Sequence, residues 1–532
     1  MITLRRRALL QGLMLGSLAA PGLAQSLRRG FTHSVGSFDP AGGTVTLWTR
    51  YAGADETRLG WEVAEDAEFG RVVKRGEALA SGANDWCASA TVAGLEPGRW
   101  YYYRFTAPDL TRSDIGRTKT LPAGKLDRFK IAVFSCSDLP AGWFNAYAHA
   151  AARDDIDLVL HLGDYIYEYQ QGGYPSAKDE VAGRLLDPPT EAWRLDDYRR
   201  RYANYRNDPD LQRLHQLFPV ISIWDDHEFA NDSWTGGAEN HQPKTEGNWD
   251  LRKSAAKRAH AEWLPMADAA YASYDIGDLL TLIRLDTRIE GRMEQLDLGI
   301  AKGDPVALAA FRDGPWRDPQ RTLLGFPQER WFADTLKASV KSKARWQLVA
   351  QQVVMGTIEV PVSITADTLG PDAPAYRKRR FANAIAATKV GLPFNMDSWG
   401  GYAPARNRLL GAAQAVDANM IVLAGDSHNA WAFDLANKGR PAGVEFAVQG
   451  VTSPGFEGSV NIKPDVLAAA LIGQNHEMKW CDTANRGYMT VTLTRDEARC
   501  DWHLLDTVRE RSVATTTRSA TVTRGRKKLA LL

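Results

Sequence analysis

Four short polar segments of the chain collect side chains that bind metal ions. Each follows a run of apolar residues and contains carboxylate, thiol, phenol or imidazole groups, which are metal ligands in proteins. Any one segment alone is weak evidence for a metal site, because a single Asp after a strand is more often a helix cap and a single buried Cys is usually a core residue. The segments are Ser135-Cys136-Ser137-Asp138, Gly163-Asp164-Tyr165-Ile166-Tyr167-Glu168, Trp224-Asp225-Asp226-His227-Glu228 and Gly425-Asp426-Ser427-His428-Asn429.

Together, the four segments indicate a metal centre. Open α/β sheets place their sites at the carboxyl ends of their strands, so segments that follow strands are expected to meet. Carboxylates that meet away from water repel each other and are costly to desolvate unless a multivalent cation compensates them. A cluster that includes Asp164, Asp226 and Asp426 therefore predicts bound cations.

The apolar runs before these segments are typical of buried strands in a layered α/β domain. Residues 129–134 and 156–162 flank a helical stretch at 141–153, which makes a βαβ unit. Further buried strands are predicted at 220–224, 279–283, 346–350 and 420–424, alternating with helical stretches. We expect this domain to occupy residues 127–510 and to end in a hairpin over 488–508. Residues 511–532 are expected to be a C-terminal tail, whose basic stretch 523–528 is a frayed, solvated end.

Residues 30–122 have a different pattern, which predicts a small β-sandwich. Residues 44–49 alternate in polarity, and turn signals such as Pro40-Ala41-Gly42-Gly43 recur. Leu95-Glu96-Pro97, followed by the tyrosines at 101–103, resembles the corner of immunoglobulin-like and fibronectin-like sandwiches, where a tyrosine hydroxyl ties a strand to the preceding loop. This part of the chain shows no catalytic cluster.

Length and composition narrow the class of protein further. The chain has 532 residues, with 65 basic and 64 acidic side chains, and this balance does not support a nucleic-acid binder or a polybasic membrane binder. Its 44% hydrophobic content is typical of a globular protein and too high for disorder. Four cysteines in a chain of this length exclude a disulfide scaffold.

The first 25 residues have the pattern of a secretory signal. Arg5-Arg6-Arg7 precede an apolar run at 8–20, and small residues near Ala24 suit cleavage. Arg6-Arg7 also resemble the twin-arginine signal, whose receptor passes folded cargo; a general secretory signal with an incidental arginine cluster is the alternative. No later segment approaches about 18 uninterrupted apolar residues, so no permanent membrane span is expected. We expect a periplasmic or secreted protein that has the twin-arginine export machinery as a partner.

The order of the four polar segments resembles the motifs of the calcineurin-like metallophosphoesterases. It departs from them at four positions: Cys136 stands in place of an Asp, Asp138 of a His, Asp226 of an Asn and Asp426 of a His. These departures are similar to those of the PhoD-type alkaline phosphatases, which pair Fe(III) with calcium. The resemblance spans essentially the whole mature chain and implies a layered metallophosphoesterase domain preceded by a small β-sandwich.

The resemblance also implies a ligand set, which the chemistry of the side chains suits. Thiolate, phenolate and imidazole suit trivalent iron, whereas an all-oxygen environment suits calcium. The implied iron ligands are Cys136, Asp164, Tyr167 and His428, with Asp164 as a bridge, and the implied calcium ligands are Asp226, Asp426 and Asp138. Tyr165 is the competing phenolate, although the Asp-x-x-Tyr spacing favours Tyr167.

The implied activity is hydrolysis of phosphate monoesters, and of diesters as a second class, by a metal-activated water. His227 is a candidate to protonate the leaving alkoxide or to bind a phosphate oxygen. Arg206 and Arg288 are weaker candidates for a phosphate clamp, because each arginine also fits a surface or structural role.

Two other functions remain open on the sequence alone. One is a dedicated phosphodiesterase or phospholipase acting on lipid or cell-wall phosphodiesters. The other is a non-catalytic, metal-stabilised binding protein. A further open question is whether Cys481 and Cys500 form a disulfide after export or remain two buried thiols.

Overall fold

The computed structural model describes residues 29–369 and 375–532, so the predicted signal segment lies outside the described residues. The strands are β1 Gly30–Phe38, β2 Thr44–Ala52, β3 Thr57–Ala64, β4 Val72–Ala80, β5 Cys87–Ala93, β6 Trp100–Thr106, β7 Gly116–Lys119, β8 Arg128–Phe134, β9 Leu158–His161, β10 Pro219–Ser222, β11 Ala272–Ile276, β12 Leu280–Arg284, β13 Trp346–Ala350, β14 Met420–Ala424, β15 Ala430–Asn437, β16 Arg440–Ala447, β17 Met478–Asp482, β18 Gly487–Thr494, β19 Glu497–Leu505, β20 Thr515–Thr523 and β21 Leu529–Leu531. The α-helices are α1 Asn145–Ala151, α2 Leu195–Arg206, α3 Pro209–Leu217, α4 Pro243–Glu246, α5 Trp249–Trp263, α6 Pro305–Asp313, α7 Gly325–Lys341, α8 Ala375–Lys389, α9 Ala403–Ala415 and α10 Pro464–Gln474.

Two large mixed sheets form the α/β part of the fold. The ten-stranded sheet has the order β21-β20-β19-β18-β8-β9-β10-β1-β2-β5, and β8, β9, β10 and β1 run parallel to their neighbours in this series. The seven-stranded sheet has the order β11-β12-β13-β14-β16-β15-β17, with a parallel centre from β12 to β16. Strands of both sheets contribute to one apolar cluster, so the two sheets pack against each other. The buried strands predicted from the sequence correspond to β8, β9, β10, β12, β13 and β14.

Helices cover the outer faces of the two sheets. One apolar cluster joins helices α1, α2, α3 and α5 to the ten-stranded sheet, and another joins α7 and α9 to the seven-stranded sheet. Local sequence sets the start of α3, because Asp208 accepts a hydrogen bond from the Asp210 amide at 2.9 Å and Pro209 occupies the first turn. Leu211 and Leu214 then anchor the helix in the core.

The N-terminal strands are joined to the larger sheet. Strands β1, β2 and β5 belong to the ten-stranded sheet, whereas β3, β4, β6 and β7 form a separate four-stranded sheet, and the two sets bury a common apolar cluster. The Tyr101 hydroxyl accepts a hydrogen bond from the Glu96 amide at 2.9 Å, which is the tyrosine corner that the sequence indicates. Strand β1 pairs in parallel with β10 through Ser37–Pro219 and Phe38–Val220, so the sheet is continuous across the two parts of the chain.

The C-terminal residues are not a frayed end, because they form two further strands, although the basic stretch 523–528 between these strands is mostly exposed, as the sequence predicts. Strand β20 pairs along its length with β19, and β21 pairs with β20. The Leu529 amide also donates to the Asp434 carboxylate at 2.8 Å, which ties β21 to β15 of the other sheet. The threonine-rich residues 515–523 extend the sheet edge in spite of their low apolar content.

All four cysteines are free and buried, so the disulfide considered for Cys481 and Cys500 is not formed. Cys481 lies on β17 in the core of the seven-stranded sheet, whereas Cys500 lies on β19 in the cluster between the sheets. Among the described residues, no helix is both long enough and apolar enough to cross a bilayer.

Candidate metal centre and active site

The four polar segments lie directly beyond the carboxyl ends of β8, β9, β10 and β14. Because β8, β9 and β10 are parallel neighbours, their carboxyl ends share one edge of the ten-stranded sheet. Strand β14 brings the fourth segment from the facing sheet. The site therefore spans the edge where the two sheets meet, as the position of the motifs after strands predicts.

The backbone at this edge turns sharply at four of the predicted ligands. Cys136, Asp164, Asp426 and His428 have φ angles of 58°, 52°, 61° and 60°, in the left-handed region that non-glycine residues rarely adopt. Such residues persist only where the surroundings fix them, and each costs about 1–3 kcal/mol. Strained conformations cluster at functional sites because they aim side chains that regular structure would point elsewhere.

Backbone hydrogen bonds between loops hold these strained residues in place. The Cys136 amide donates to the Gly163 carbonyl at 3.2 Å, and the Ser137 amide donates to the Asp164 carbonyl at 2.9 Å. Gly163 itself has a φ of 100°, and a Cβ there would lie 2.4 Å from the Cβ of Asp225. Only glycine therefore allows the loops after β9 and β10 to approach this closely.

One cluster contains all four implied iron ligands. Donor atoms of Cys136, Asp164 and His428 lie within 4.8 Å of one another. The Tyr167 hydroxyl donates to Asp164 Oδ2 at 3.2 Å and lies 3.3 Å from Nε2 of His428. It also lies 2.6 Å from the hydroxyl of Ser453, in the Thr-Ser-Pro-Gly segment at residues 452–455. The thiol, phenol, imidazole and carboxylate thus converge on one point, a donor set that fits a trivalent iron.

His428 presents the correct nitrogen to this cluster. Its Nδ1 lies 2.8 Å from the Pro454 carbonyl, to which it donates, so the proton is on Nδ1 and the lone pair is on Nε2. Burial lowers the pKa of His428 to about 3, so the ring is neutral. A neutral imidazole with a free Nε2 is the form that binds a metal.

The competing tyrosine points elsewhere. The Tyr165 hydroxyl lies 2.8 Å from Nε2 of His215, which is on α3, and the Tyr165 ring packs edge-on against His161. Neither histidine belongs to a metal-ligand cluster among the described residues. The geometry therefore favours Tyr167, as the Asp-x-x-Tyr spacing does.

An acidic cluster adjoins the first one and shares Asp164 with it. Donor atoms of Asp164, Asp226 and His227 lie within 4.8 Å of one another, as do those of Asp225, Asp226 and Asp426. These side chains are buried or partly buried. Oxygen ligands at this density fit a hard cation such as calcium.

Arg288, which lies four residues beyond the end of β12, supplies positive charge to the acidic cluster. Its guanidinium is fully buried and lies 2.6 Å from Asp426, 3.6 Å from Asp226 and 2.6 Å from Asp397. It also pairs with Asp225. Arg292 also pairs with Asp397, so two guanidinium groups face four carboxylates and the cluster keeps an excess of negative charge.

The excess charge shows in the acid–base properties of the site. Burial raises the pKa of Asp426 to about 7 and that of Asp232 to about 8, and raises the pKa of Asp164 well above its usual value. Burial also raises the pKa of the Cys136 thiol. One oxygen of Asp225 is buried without any partner. These groups resist ionisation because too little positive charge faces them. Bound multivalent cations would supply that charge, so the shifts are consistent with a metal site.

Asp138, an implied calcium ligand, stands apart from both clusters among the described residues. It is fully buried, and neither of its carboxylate oxygens has a partner. Burial raises its pKa well above the usual value. Its backbone carbonyl accepts a hydrogen bond from the Thr452 hydroxyl at 2.6 Å, which links the loop after β8 to the Thr-Ser-Pro-Gly segment.

His227 lies beside the ligands and is held by Glu168, for which the sequence analysis predicts no role. Its Nδ1 lies 2.7 Å from Oε2 of Glu168, and both side chains are buried. The imidazole stacks on Tyr167 with ring centroids 4.2 Å apart. The other oxygen of Glu168 accepts from the Asn231 amide and the Asn240 side chain, each at 2.8 Å. The signal in the sequence was the Glu directly after Tyr167, but nothing local shows that it reaches His227.

Glu228, which follows His227, has a structural role in the same loops. Its carboxylate accepts hydrogen bonds from the amides of Asp164 at 3.1 Å, Tyr165 at 2.6 Å and Asp225 at 2.6 Å. It therefore fastens the loop after β10 to the loop after β9, and this sets the distance between Asp164 and the acidic cluster.

The structure does not bring Arg206 into the site. Arg206 is fully buried at the end of α2, with its guanidinium 4.3 Å above the Trp48 ring and 3.4 Å from the Trp263 carbonyl. It packs between the N-terminal strands and α5, away from the ligand clusters. Of the two arginines considered as phosphate clamps, only Arg288 reaches the site.

Comparison with known proteins defines the chain as a phosphoric ester hydrolase. It belongs to the PhoD-like phosphatase family: the family profile matches residues 131–502, and the profile of the PhoD-like phosphatase N-terminal domain matches residues 17–122. This confirms the resemblance that the four polar segments carry.

Two relatives support this membership over nearly the whole chain. Alkaline phosphatase D of Bacillus subtilis (strain 168) is 31% identical over 520 residues, which cover 92% of this chain and 80% of that protein. The solved structure of PhoD superposes with a TM-score of 0.78 at 29% identity, covering 95% of this chain and 92% of the other. The activity of the family is therefore that of an alkaline phosphatase.

Proposed function

We propose that this chain is an exported, metal-dependent alkaline phosphatase that hydrolyses phosphate monoesters, with diesters as a second substrate class. The observation that carries the proposal is the convergence of the Cys136 thiol, the Tyr167 phenol and the His428 imidazole on Asp164, beside an acidic cluster that shares the same carboxylate. A binding protein stabilised by metal would not need a histidine held beside two adjoining ligand clusters.

The residues present fit one iron and one calcium. Cys136, Asp164, Tyr167 and His428 would hold Fe(III), and Asp164, Asp226 and Asp426 would hold Ca²⁺. When bound, the two cations supply positive charge for the phosphoryl oxygens and lower the pKa of a water molecule that attacks phosphorus.

His227 is positioned to deliver a proton to the leaving alcohol. Glu168 accepts from Nδ1 at 2.7 Å, so Nε2 is the nitrogen available to a substrate. Burial disfavours the imidazolium, but the carboxylates of Glu168, Asp164 and Asp226 outweigh burial and raise the pKa of His227 well above its usual value. These carboxylates thus favour the protonated ring, which is the form that can donate a proton to a leaving alcohol.

Arg288 acts on the charge of the site and not directly on the phosphate. Its guanidinium is fully buried and already faces Asp225, Asp226, Asp397 and Asp426. We assign it to balancing these carboxylates, so that they remain together when the site exchanges its cations.

Export by the twin-arginine route is part of the proposal. Residues 1–25 carry the Arg6-Arg7 pair and the apolar run. A site built from four separate loops is complete only after folding, so a route that passes folded cargo lets the metals bind before export.

Metal analysis of the purified protein by plasma emission, together with hydrolysis assays on an aryl phosphate and its bis-aryl phosphate, tests the proposal. We expect iron and calcium, turnover of the monoester, and loss of turnover without unfolding on mild chelation. A protein that is fully active without either metal would overturn the metal dependence. A protein that holds both metals and hydrolyses neither ester would overturn the enzymatic function, and turnover of the diester alone would favour a dedicated phosphodiesterase.

A further inference from the structure

Tyr169 and Tyr174 form an aromatic wall beside the two histidines of the site. Their ring centroids are 5.7 Å apart and their planes are tilted by 51°. Tyr169 lies 5.2 Å from the His227 ring, and Tyr174 lies 6.2 Å from the His428 ring. Both tyrosines are partly exposed, whereas Tyr167, which stacks with Tyr174 and His227, is buried. The wall therefore lies at the mouth of the site.

The backbone that carries the wall is fixed before any ligand binds. Buried Arg201 donates to the Tyr169 carbonyl at 3.0 Å and also to the Tyr167 carbonyl. Close to Tyr174, the Gly173 amide donates to the Gln170 carbonyl at 2.9 Å. A preformed surface loses little conformational entropy on binding, so contacts with it contribute to affinity.

The rest of the rim differs in chemistry from this wall. The partly exposed carboxylates of Asp232 and Asp426 line the side of the acidic cluster. These groups offer polar oxygen atoms, whereas the wall offers ring faces and edges to an apolar substituent. A leaving alcohol must lie beside its proton donor. The alcohol that takes a proton from His227 therefore also lies next to Tyr169.

We propose that Tyr169 and Tyr174 bind the leaving group of the ester by stacking, so that the enzyme prefers phosphate esters of flat, aromatic alcohols. This inference rests on the proposed function, since it assigns the wall to the substrate of the same site. Tyr169 makes the main contact because it adjoins His227, and Tyr174 extends the surface over the side of His428.

Phenyl phosphate and 2-naphthyl phosphate test the inference, because their leaving alcohols have similar acidity and differ by one ring. We expect the wild-type enzyme to favour the naphthyl ester in kcat/KM. Tyr169→Ala should lower the naphthyl-to-phenyl ratio by about two- to ten-fold, the size of one aromatic contact, and Tyr169→Phe should keep it. Tyr51→Ala, which removes a ring packed on Phe31 in the N-terminal strands, is the control and should leave the ratio unchanged.

An unchanged naphthyl-to-phenyl ratio in Tyr169→Ala would overturn the inference. If kcat/KM falls equally for both esters, the ratio is unchanged and the role of Tyr169 is structural. If that variant does not fold, competitive inhibition of the wild type by 2-naphthylphosphonate and phenylphosphonate replaces it. Tighter binding of the naphthyl compound is expected, and equal binding would overturn the inference. A wild-type enzyme that hydrolyses neither ester contradicts the proposed function, whereas equal turnover of both contradicts only the aromatic wall.

Discussion

Glu168 and His227 form a buried pair, with Oε2 of the carboxylate 2.7 Å from Nδ1 of the imidazole. The two residues come from loops after different strands, β9 and β10. The second oxygen of Glu168 is held by Asn231 and Asn240, so the carboxylate cannot rotate away. The pair thereby fixes which nitrogen of His227 faces a substrate.

Replacing His227 by Ala should keep both metals and lower turnover by about 10²–10⁴-fold, the range for losing a general acid. The loss should be smaller for a nitrophenyl ester than for a simple alkyl phosphate, because nitrophenolate leaves without protonation. Metal content and kcat for the two esters check this. His215→Ala, at a buried histidine bonded to Tyr165, is the control and should show no such dependence on the leaving group. Loss of metal from His227→Ala, or equal slowing of both esters, would contradict the assignment.

Replacing Glu168 by Gln should move the alkaline limb of the pH profile. The pKa of His227 is raised above its usual value, so the imidazolium is present below that pKa and is lost as pH rises through it. Removing the charge of Glu168 lowers the pKa, so turnover of an alkyl phosphate should decline at a lower pH than in the wild type. Glu262→Gln, at a carboxylate paired with Arg199 at 2.6 Å, should leave the profile in place. Coincident wild-type and Glu168→Gln profiles would exclude the pairing as the cause.

Cys136→Ser should lose iron, colour and activity together. A thiolate on trivalent iron gives a charge-transfer absorption band, and the hydroxyl of serine is a poorer ligand. Absorption spectra and metal analysis measure the effect. Cys87→Ser, at another buried free thiol, should keep its iron and its colour. A Cys136→Ser protein with full iron content and no turnover would instead point to covalent chemistry at sulfur.

Asp226→Ala should lower the calcium content, because Asp226 belongs to both acidic groups of ligands. Excess calcium should then restore part of the activity by mass action. Titration of activity with calcium in the wild type and the variant checks this. Asp434→Ala, at a carboxylate that holds the Leu529 amide, should need no added calcium. An Asp226→Ala variant with normal metal content would remove the residue from the ligand set.

Replacing Arg6-Arg7 by Lys-Lys should leave the precursor in the cytoplasm, because the receptor reads the paired guanidinium groups. Fractionation of cells and detection of the uncleaved precursor measure this. Replacement of the neighbouring Arg5 alone by Lys serves as the control and should allow export. Normal export of the double variant would favour a general secretory signal.

The strands and the ligand cluster around Asp164 follow from local sequence. A buried parallel strand is a short apolar run, so residues 129–134 and 420–424 could be placed without the fold, and the ligands follow their ends. The spacing between Asp164 and Tyr167 also identifies the tyrosine that reaches the cluster.

The remaining features depend on contacts between distant segments. Nothing near Arg206 shows that its side of α2 faces Trp48 and not the site. The separation of Cys481 from Cys500 gives no sign that they lie in different sheets. The pairing of Glu168 with His227 likewise appears only once β9 and β10 are neighbours.

The pairing of β1 with β10 affects how the protein can be made. Ser37 must meet Pro219, roughly 180 residues later in the chain, so the first strand leaves the ribosome long before its parallel partner exists. The N-terminal hairpins can form early, but they can dock on the larger sheet only after β10 has been synthesised. A nascent chain stalled before residue 219 should therefore expose the open edge of β1, where chaperones can bind and where aggregation can begin.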